Sequence, residues 1–273
     1  MVRTLLLAAL LFLTASADDL LYGKIQSMIG ESSFKEHRKL IEIVFSPADS
    51  FYGQEGIDTV KVVETLMENG LLKLDYGKPT LMEMTFSTRG TPLFFVKLME
   101  ETLRSMGYYR YVTEESRLEE GLFVWKISLT GEHAADPAKL RDELAKRRCR
   151  ITDLERESPQ QWRYEINMNQ ARLNLNPLQN GKEVTFRLTL DAHWLDVSGV
   201  ERVTFNSLGS NSWYPYITFY DRTMHLLKVY KRDRKTWQLT LQPPRDAAYA
   251  KVADLYSLKN IKDGFRILPR GVK

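Results

Sequence analysis

Leu81-Met82-Glu83-Met84-Thr85-Phe86-Ser87, followed by Thr91-Pro92-Leu93-Phe94 and closed by Gly107, is the stretch that decides the fold. Met82, Met84 and Phe86 alternate with Glu83, Thr85 and Ser87, the period of a half-buried strand. Thr91-Pro92 then opens a helix carrying Leu93, Phe94, Leu98, Leu103 and Met106 at helical spacing, and Gly107 can end it. Residues 108–113 and 122–129 read as strands joined by the polar stretch 114–121. Asp136-Pro137 opens a second helix through Leu140 and Leu144, and Lys146-Arg147-Arg148 suit the negative end of its dipole. Residues 150–156 and 161–168 form a hairpin around Ser158-Pro159, with Trp162, Tyr164, Ile166 and Met168 on one face. The order β-α-β-β-α-β plus one extra strand is the ferredoxin-like, split βαβ plan, and it defines a domain over 79–170.

Outward from this module, 18–78 reads as a helical segment. Ser33 with Glu36 forms a capping box, and Phe34, His37, Ile41 and Val44 follow at helical spacing. A second helix starts at Asp58, buries Val60, Val63, Leu66 and Met67, and stops at Asn69-Gly70. Toward the C-terminus, 171–182 is Asn-rich. Alternating runs then recur over 184–190, 200–205, 216–220, 224–230, 236–241 and 250–255. Short strands at such intervals predict an antiparallel β-sandwich over 171–273, so the fold class is α+β.

The counts leave room for a normal core. Of 273 residues, 43% are hydrophobic, with 12 Phe, 13 Tyr and 5 Trp, which excludes a disordered chain or a disulfide-stapled miniprotein. A net charge of +4 is mild for a nucleic-acid binder. Arg3, the apolar run 5–13 and the small residues Ala15-Ser16-Ala17 have the three-part layout of a secretory signal peptide. Cleavage is expected after Ala17, giving 1–17 as the leader and the periplasm as the destination. The apolar run is about half the ~20 residues that a spanning helix needs. The single Cys, Cys149, reads as a small buried side chain at a helix–strand junction, with no C-x-x-C motif beside it.

Catalytic patterns are weak. Asp191, His193 and Asp196 are the best cluster among few histidines, yet a zinc site needs a third ligand on the same face. There is no G-x-S-x-G, no P-loop and no H-E-x-x-H. No cofactor and no metal are expected. Between 194 and 237 the chain concentrates Trp194, Trp213, Tyr214, Tyr216, Phe219, Tyr220 and Trp237. These rings either fill a sheet interface, form a protein-binding patch, or stack on sugars. Lys228, Lys231, Arg232, Arg234 and Lys235 make the densest basic run, a hairpin tip that fits an anionic surface or an acidic partner.

Tyr22-Gly23-Lys24-Ile25-Gln26 through Gly30-Glu31-Ser32-Ser33, and Asn69-Gly70-Leu71-Leu72-Lys73-Leu74 with Thr102-Leu103-Arg104-Ser105-Met106-Gly107-Tyr108-Tyr109, resemble uncharacterised bacterial periplasmic proteins. Some of these are accessory or scaffold parts of polar flagellar motors. The αβ module resembles ferredoxin-like domains of periplasmic assembly platforms, and the last domain is similar in outline to galactose-binding-like sandwiches. The absence of a catalytic constellation, the compact modules, the aromatic candidates and the basic tip together lead to the expectation of a non-enzymatic exported protein of a cell-envelope assembly, whose partners are other envelope proteins. A peptidoglycan or glycan-binding module is the alternative, and an envelope hydrolase built on Asp191 and His193 a third. Nucleic acid is not an expected partner, nor is a membrane-spanning segment after cleavage.

Overall fold

The computed structural model describes residues 17–187 and 192–273, a mixed α+β chain with six α-helices among those residues and mostly antiparallel sheets. The apolar run 5–13 and Asp191 lie outside the described residues, and Ala17 is the first residue of the first helix. The chain forms two compact units. One is the chain up to Gly90 with Glu100–Asn169, the other Thr91–Met99 with Gln170–Lys273. Among the described residues, no helix is long and apolar enough to cross a membrane.

The first unit begins with α1 (Ala17–Ile29), α2 (Glu31–Glu36) and α3 (Arg38–Val44), then the two-residue strands β1 (Tyr52–Gly53) and β2 (Gly56–Ile57), then α4 (Thr59–Glu68). Gly30, at φ 83, and not Ser33, stands at the N-cap of α2. A glycine that takes positive φ without steric cost turns the chain out of α1, so the helix starts earlier than the hydroxyl signal indicates. The expected single helix is also interrupted at His37, which ends α2 and precedes α3 at φ −102, ψ 13. Asp58 caps α4 by accepting from Lys61 N, and Val60, Val62, Val63 and Leu66 are buried.

β3 (Asp75–Thr88), α5 (Pro92–Ser105), β4 (Val112–Glu119), β5 (Leu122–His133), α6 (Pro137–Ala145), β6 (Arg150–Ser158) and β7 (Gln161–Asn167) follow. The five strands form one sheet in the order β4-β5-β3-β7-β6. All neighbours are antiparallel except β3 and β7, which are parallel. β7 therefore lies between β3 and β6, and β6 is at the edge. Met82, Met84, Phe86, Trp125, Ile127, Trp162 and Tyr164 are buried and share one face. Each such side chain is worth roughly 1.5–3 kcal/mol in burial. Leu93, expected on the buried side of α5, is exposed, and Phe95 is buried in its place.

The polar stretch 114–121, expected as a connection, is mostly strand: β4 extends to Glu119. It is an edge strand exposed on both faces, so it has no apolar alternation to reveal it. Only Glu120 and Gly121 turn, both at positive φ (49 and 77), as a type I′ hairpin requires. Arg147, 4% exposed, reaches Glu143 O at 2.9 Å and Ser105 Oγ at 3.4 Å, which fixes the end of α6.

The second unit contains β8 (Val184–Phe186), β9 (His193–Asp196), β10 (Arg202–Ser207), β11 (Pro215–Tyr220), β12 (Leu226–Lys231), β13 (Gln238–Leu241), β14 (Tyr249–Asp254) and β15 (Phe265–Arg270). They form two four-stranded antiparallel sheets, β12-β11-β14-β9 and β13-β10-β15-β8. Inward residues of both, including Ile217, Phe219, Val252, Phe205 and Ile267, join one hydrophobic core around Trp213. β15 has no counterpart among the runs read from the sequence, although it is an interior strand pairing with both β10 and β8. Gly264 precedes it at φ 84, where a Cβ would stand 1.8 Å from Phe186 O, so only glycine fits.

Candidate binding surface

The order of the two sheets of the second unit places β12 at the edge of one and β13 at the edge of the other. These strands are consecutive, so 226–242 is one continuous margin: up β12, round the corner 232–237, and down β13. It carries Lys228, Lys231, Arg232, Arg234 and Lys235 against the single acid Asp233, an excess equal to the chain's whole net charge of +4. None of these five cations has an acidic partner among the described residues. Arg232 lies over the Tyr230 ring at 5.7 Å and Lys235 over Trp237 at 4.6 Å. Asp233 accepts instead from the Tyr256 hydroxyl, which raises that phenol's pKa above its ordinary value.

β12 is unusual for an edge. Leu226, Leu227 and Val229 are exposed, alternating with the lysines. The register explains why some rings are covered and others free. Tyr230 and Lys228 lie opposite Ile217 and Phe219, on the core side, whereas Val229 and Lys231 lie opposite Thr218 and Tyr216, on the outer side. Between β12 and β13 the gap is not closed. A hollow of about 430 Å³ remains, lined by Arg202, Phe219, Lys228, Tyr230, Thr240 and Leu241. Two cations beside two rings in a concave edge suit an anionic, partly apolar segment.

The sequence-predicted site residues separate into three groups. Trp213 is a correction: at 0% exposure it belongs to the core, with Nε1 donating to Ala253 O at 2.9 Å and the ring against Phe265. A side chain with no surface cannot anchor a partner. Trp194, Tyr216 and Tyr220 lie on the outer face of the β12-β11-β14-β9 sheet, half-buried. Trp194 stacks near Tyr220 at 5.4 Å, with Lys97 and Lys251 over its ring at 5.3 and 5.7 Å. Phe94 of α5 packs on Tyr249 of the same face. Those rings are therefore largely occupied by the unit's own side chains.

Trp237, 54% exposed, and Tyr214 are the aromatics near the basic corner. Tyr214 meets Tyr256, 62% exposed, edge to face at 5.1 Å. Tyr256 and Arg202 were not legible as site residues, because both lie outside the run that concentrates the charge.

His193 is 8% exposed and sits between Phe186 and Phe265 at 4.9 and 5.9 Å, as a core residue. Asp196, on the opposite face, accepts from Ser198 N and Oγ. Among the described residues, no group of three His, Cys, Asp or Glu side chains converges as a metal site. Cys149 is buried, and burial pushes its thiol pKa up to about 11, although Arg147 opposes the shift. Comparison with family models, curated proteins and solved structures gives no match.

Proposed function

We propose that this chain is a non-enzymatic, exported structural protein that docks an acidic partner protein of the cell envelope along 226–242. What carries the reading is the edge strand β12, with exposed Leu226, Leu227 and Val229 beside cations that have no acidic partner among the described residues. An unpaired edge offers backbone hydrogen bonds, the apolar residues supply affinity, and the like charges steer encounter and fix register. The apolar run 5–13 followed by Ala17 supports export to the periplasm with the leader removed. A flagellar-motor accessory scaffold is the setting that the sequence resemblance favours.

In the same reading, the first unit is a ferredoxin-like domain with one inserted strand. What supports this is the order β3-α5-β4-β5-α6-β6 with β4-β5-β3 adjacent. The second unit is a β-sandwich, supported by the single core shared by its two sheets.

The test reverses three charges, Lys231→Glu, Arg232→Glu and Arg234→Glu, in the purified protein. The partner captured from envelope extract is identified by mass spectrometry, purified and rebound. Its affinity should fall at least ten-fold in the variant, which is about 1.4 kcal/mol. Wild-type affinity should also weaken steadily with salt, as screened charges require. Unchanged affinity in a variant with the wild-type circular dichroism spectrum overturns the proposal.

The exposed Trp237 favours one second reading, a glycan platform. Retention on peptidoglycan sacculi that is lost in Trp237→Ala but kept in the charge-reversed variant would select it. One ring face is already taken by Lys235, which leaves a single face for a sugar.

A further inference from the structure

The first unit has a feature that docking along 226–242 does not use. Gly107, at φ 94, ends α5, and Tyr108 N bonds back to Leu103 O at 2.9 Å, so the chain leaves the helix sharply. It runs as Tyr108-Tyr109-Arg110-Tyr111 and pairs with β5 only from Val112, opposite Ser128. β5 nevertheless continues to His133. On its other side it stays paired with β3, as Met82↔Leu129, Leu81↔Thr130 and Thr80↔Gly131. Among the described residues, no backbone hydrogen bond joins 108–111 to β5. The backbone groups of 129–131 that point away from β3 thus face a gap.

That gap is a hollow of about 750 Å³, within the ~300–1,000 Å³ usual for ligand sites. Three tyrosines, Tyr108, Tyr109 and Tyr111, and two arginines, Arg104 and Arg110, surround it. Neither guanidinium has an acidic or hydrogen-bonding partner among the described residues. Glu100 is the one acid in the lining, so the site is net positive. Tyr109 is 73% exposed, and Leu81 and Val112 at the mouth are exposed as well.

We infer that this hollow is a peptide site: an extended acidic segment adds as a short strand to the free edge of β5 at 129–131, its carboxylates on Arg104 and Arg110. Three features fit that occupant together. An unpaired strand edge recognises extended backbone, a guanidinium takes a carboxylate in bidentate geometry, and tyrosine rings hold apolar side chains at alternate positions. A small carboxylate would use the arginines alone and leave the edge unpaired.

The test is fluorescence anisotropy with a dye-labelled, end-blocked Glu-Val-Glu-Val-Glu-Val peptide on the purified protein. The peptide should bind at least ten-fold tighter than its Lys-Val counterpart and than a copy N-methylated at alternate amides. Arg104→Ala with Arg110→Ala should weaken it at least ten-fold, whereas reversal of Lys231, Arg232 and Arg234 should not. On unaltered protein, peptide addition should slow amide hydrogen exchange at 129–131, a readout independent of whether the double variant folds. Equal binding of the N-methylated peptide, or unchanged exchange at 129–131, overturns the inference. Loss on reversal of Lys231, Arg232 and Arg234 alone assigns the peptide to the basic margin and overturns it too, while leaving the docking function of that margin intact.

Discussion

β4 of the first unit and β12 of the second occupy the same kind of position, an outermost strand exposed on both faces, and they are built in opposite ways. β4 reads Val-Thr-Glu-Glu-Ser-Arg-Leu-Glu, mixes both signs with an acidic excess, and engages its charges locally. Arg117 bonds Glu115 at 2.7 Å and Glu119 at 2.5 Å, and Ser128 donates to Glu114 at 2.5 Å. β12 reads Leu-Leu-Lys-Val-Tyr-Lys, and its lysines have no acid to meet among the described residues. Charged side chains usually protect an edge from adding another strand. On β4 they do so with both signs and local pairing. On β12 a single sign next to exposed Leu and Val protects against a second copy of the same strand while remaining open to an acidic one. Under the proposed reading, the sign pattern, more than the exposure, separates a closed edge from a receptive one.

This contrast can be broken at several levels. The largest effect is expected in the core beneath the receptive edge. Trp213→Ala should cost about 3–5 kcal/mol, read from the urea midpoint, because it empties a fully buried site and removes the bond to Ala253 O. A variant of wild-type stability that loses the partner would put Trp213 back among the surface anchors.

A smaller effect is expected in the first unit. Cys149 holds its proton to a pH of about 11 in the folded chain, against roughly 8.5 when unfolded. A group that ionises earlier in the unfolded state draws the equilibrium that way. Its contribution is therefore complete below the unfolded pKa and is lost as pH rises from there toward the folded one. Wild-type protein should lose about 2 kcal/mol more stability than Cys149→Ala between pH 7.5 and 10.5. Identical alkaline limbs would mean that the thiol is not sealed in the core.

The smallest effect belongs to the closed edge itself. Arg117→Ala should leave the urea midpoint nearly unchanged, since its pairs are exposed and screened by water, and should leave partner binding untouched. A binding loss comparable to that of the Lys231, Arg232 and Arg234 reversal would erase the distinction between the two strands.

What the sequence revealed followed from how local each signal is. Asp58, Asp136 and Gly107 mark helix ends because a cap acts over three or four residues. Met82, Met84 and Phe86 mark β3 because one face is buried. β4 stayed hidden since exposure on both faces leaves no alternation, and β7 could be read as a strand but not placed between β3 and β6. α5 looked like one helix of one domain, yet its residues 92–99 belong to the second unit. That division depends on long-range packing that no spacing encodes. Likewise Trp213 and Trp237 are the same residue type in neighbouring turns of chain. Tertiary contacts alone make the first a core side chain, donating to Ala253 O, and the second a surface ring under Lys235. The basic run was legible as charge, but its position along two free strand edges was not.

Because β12, the corner and β13 follow one another without interruption, most of the margin proposed for docking is one linear segment, which Arg202 and Phe219 join at the hollow. It is therefore portable. A graft of 226–242 between two adjacent edge strands of another scaffold would carry the basic run and the exposed apolar residues, and under the proposed reading antibodies raised against that peptide would compete with the partner.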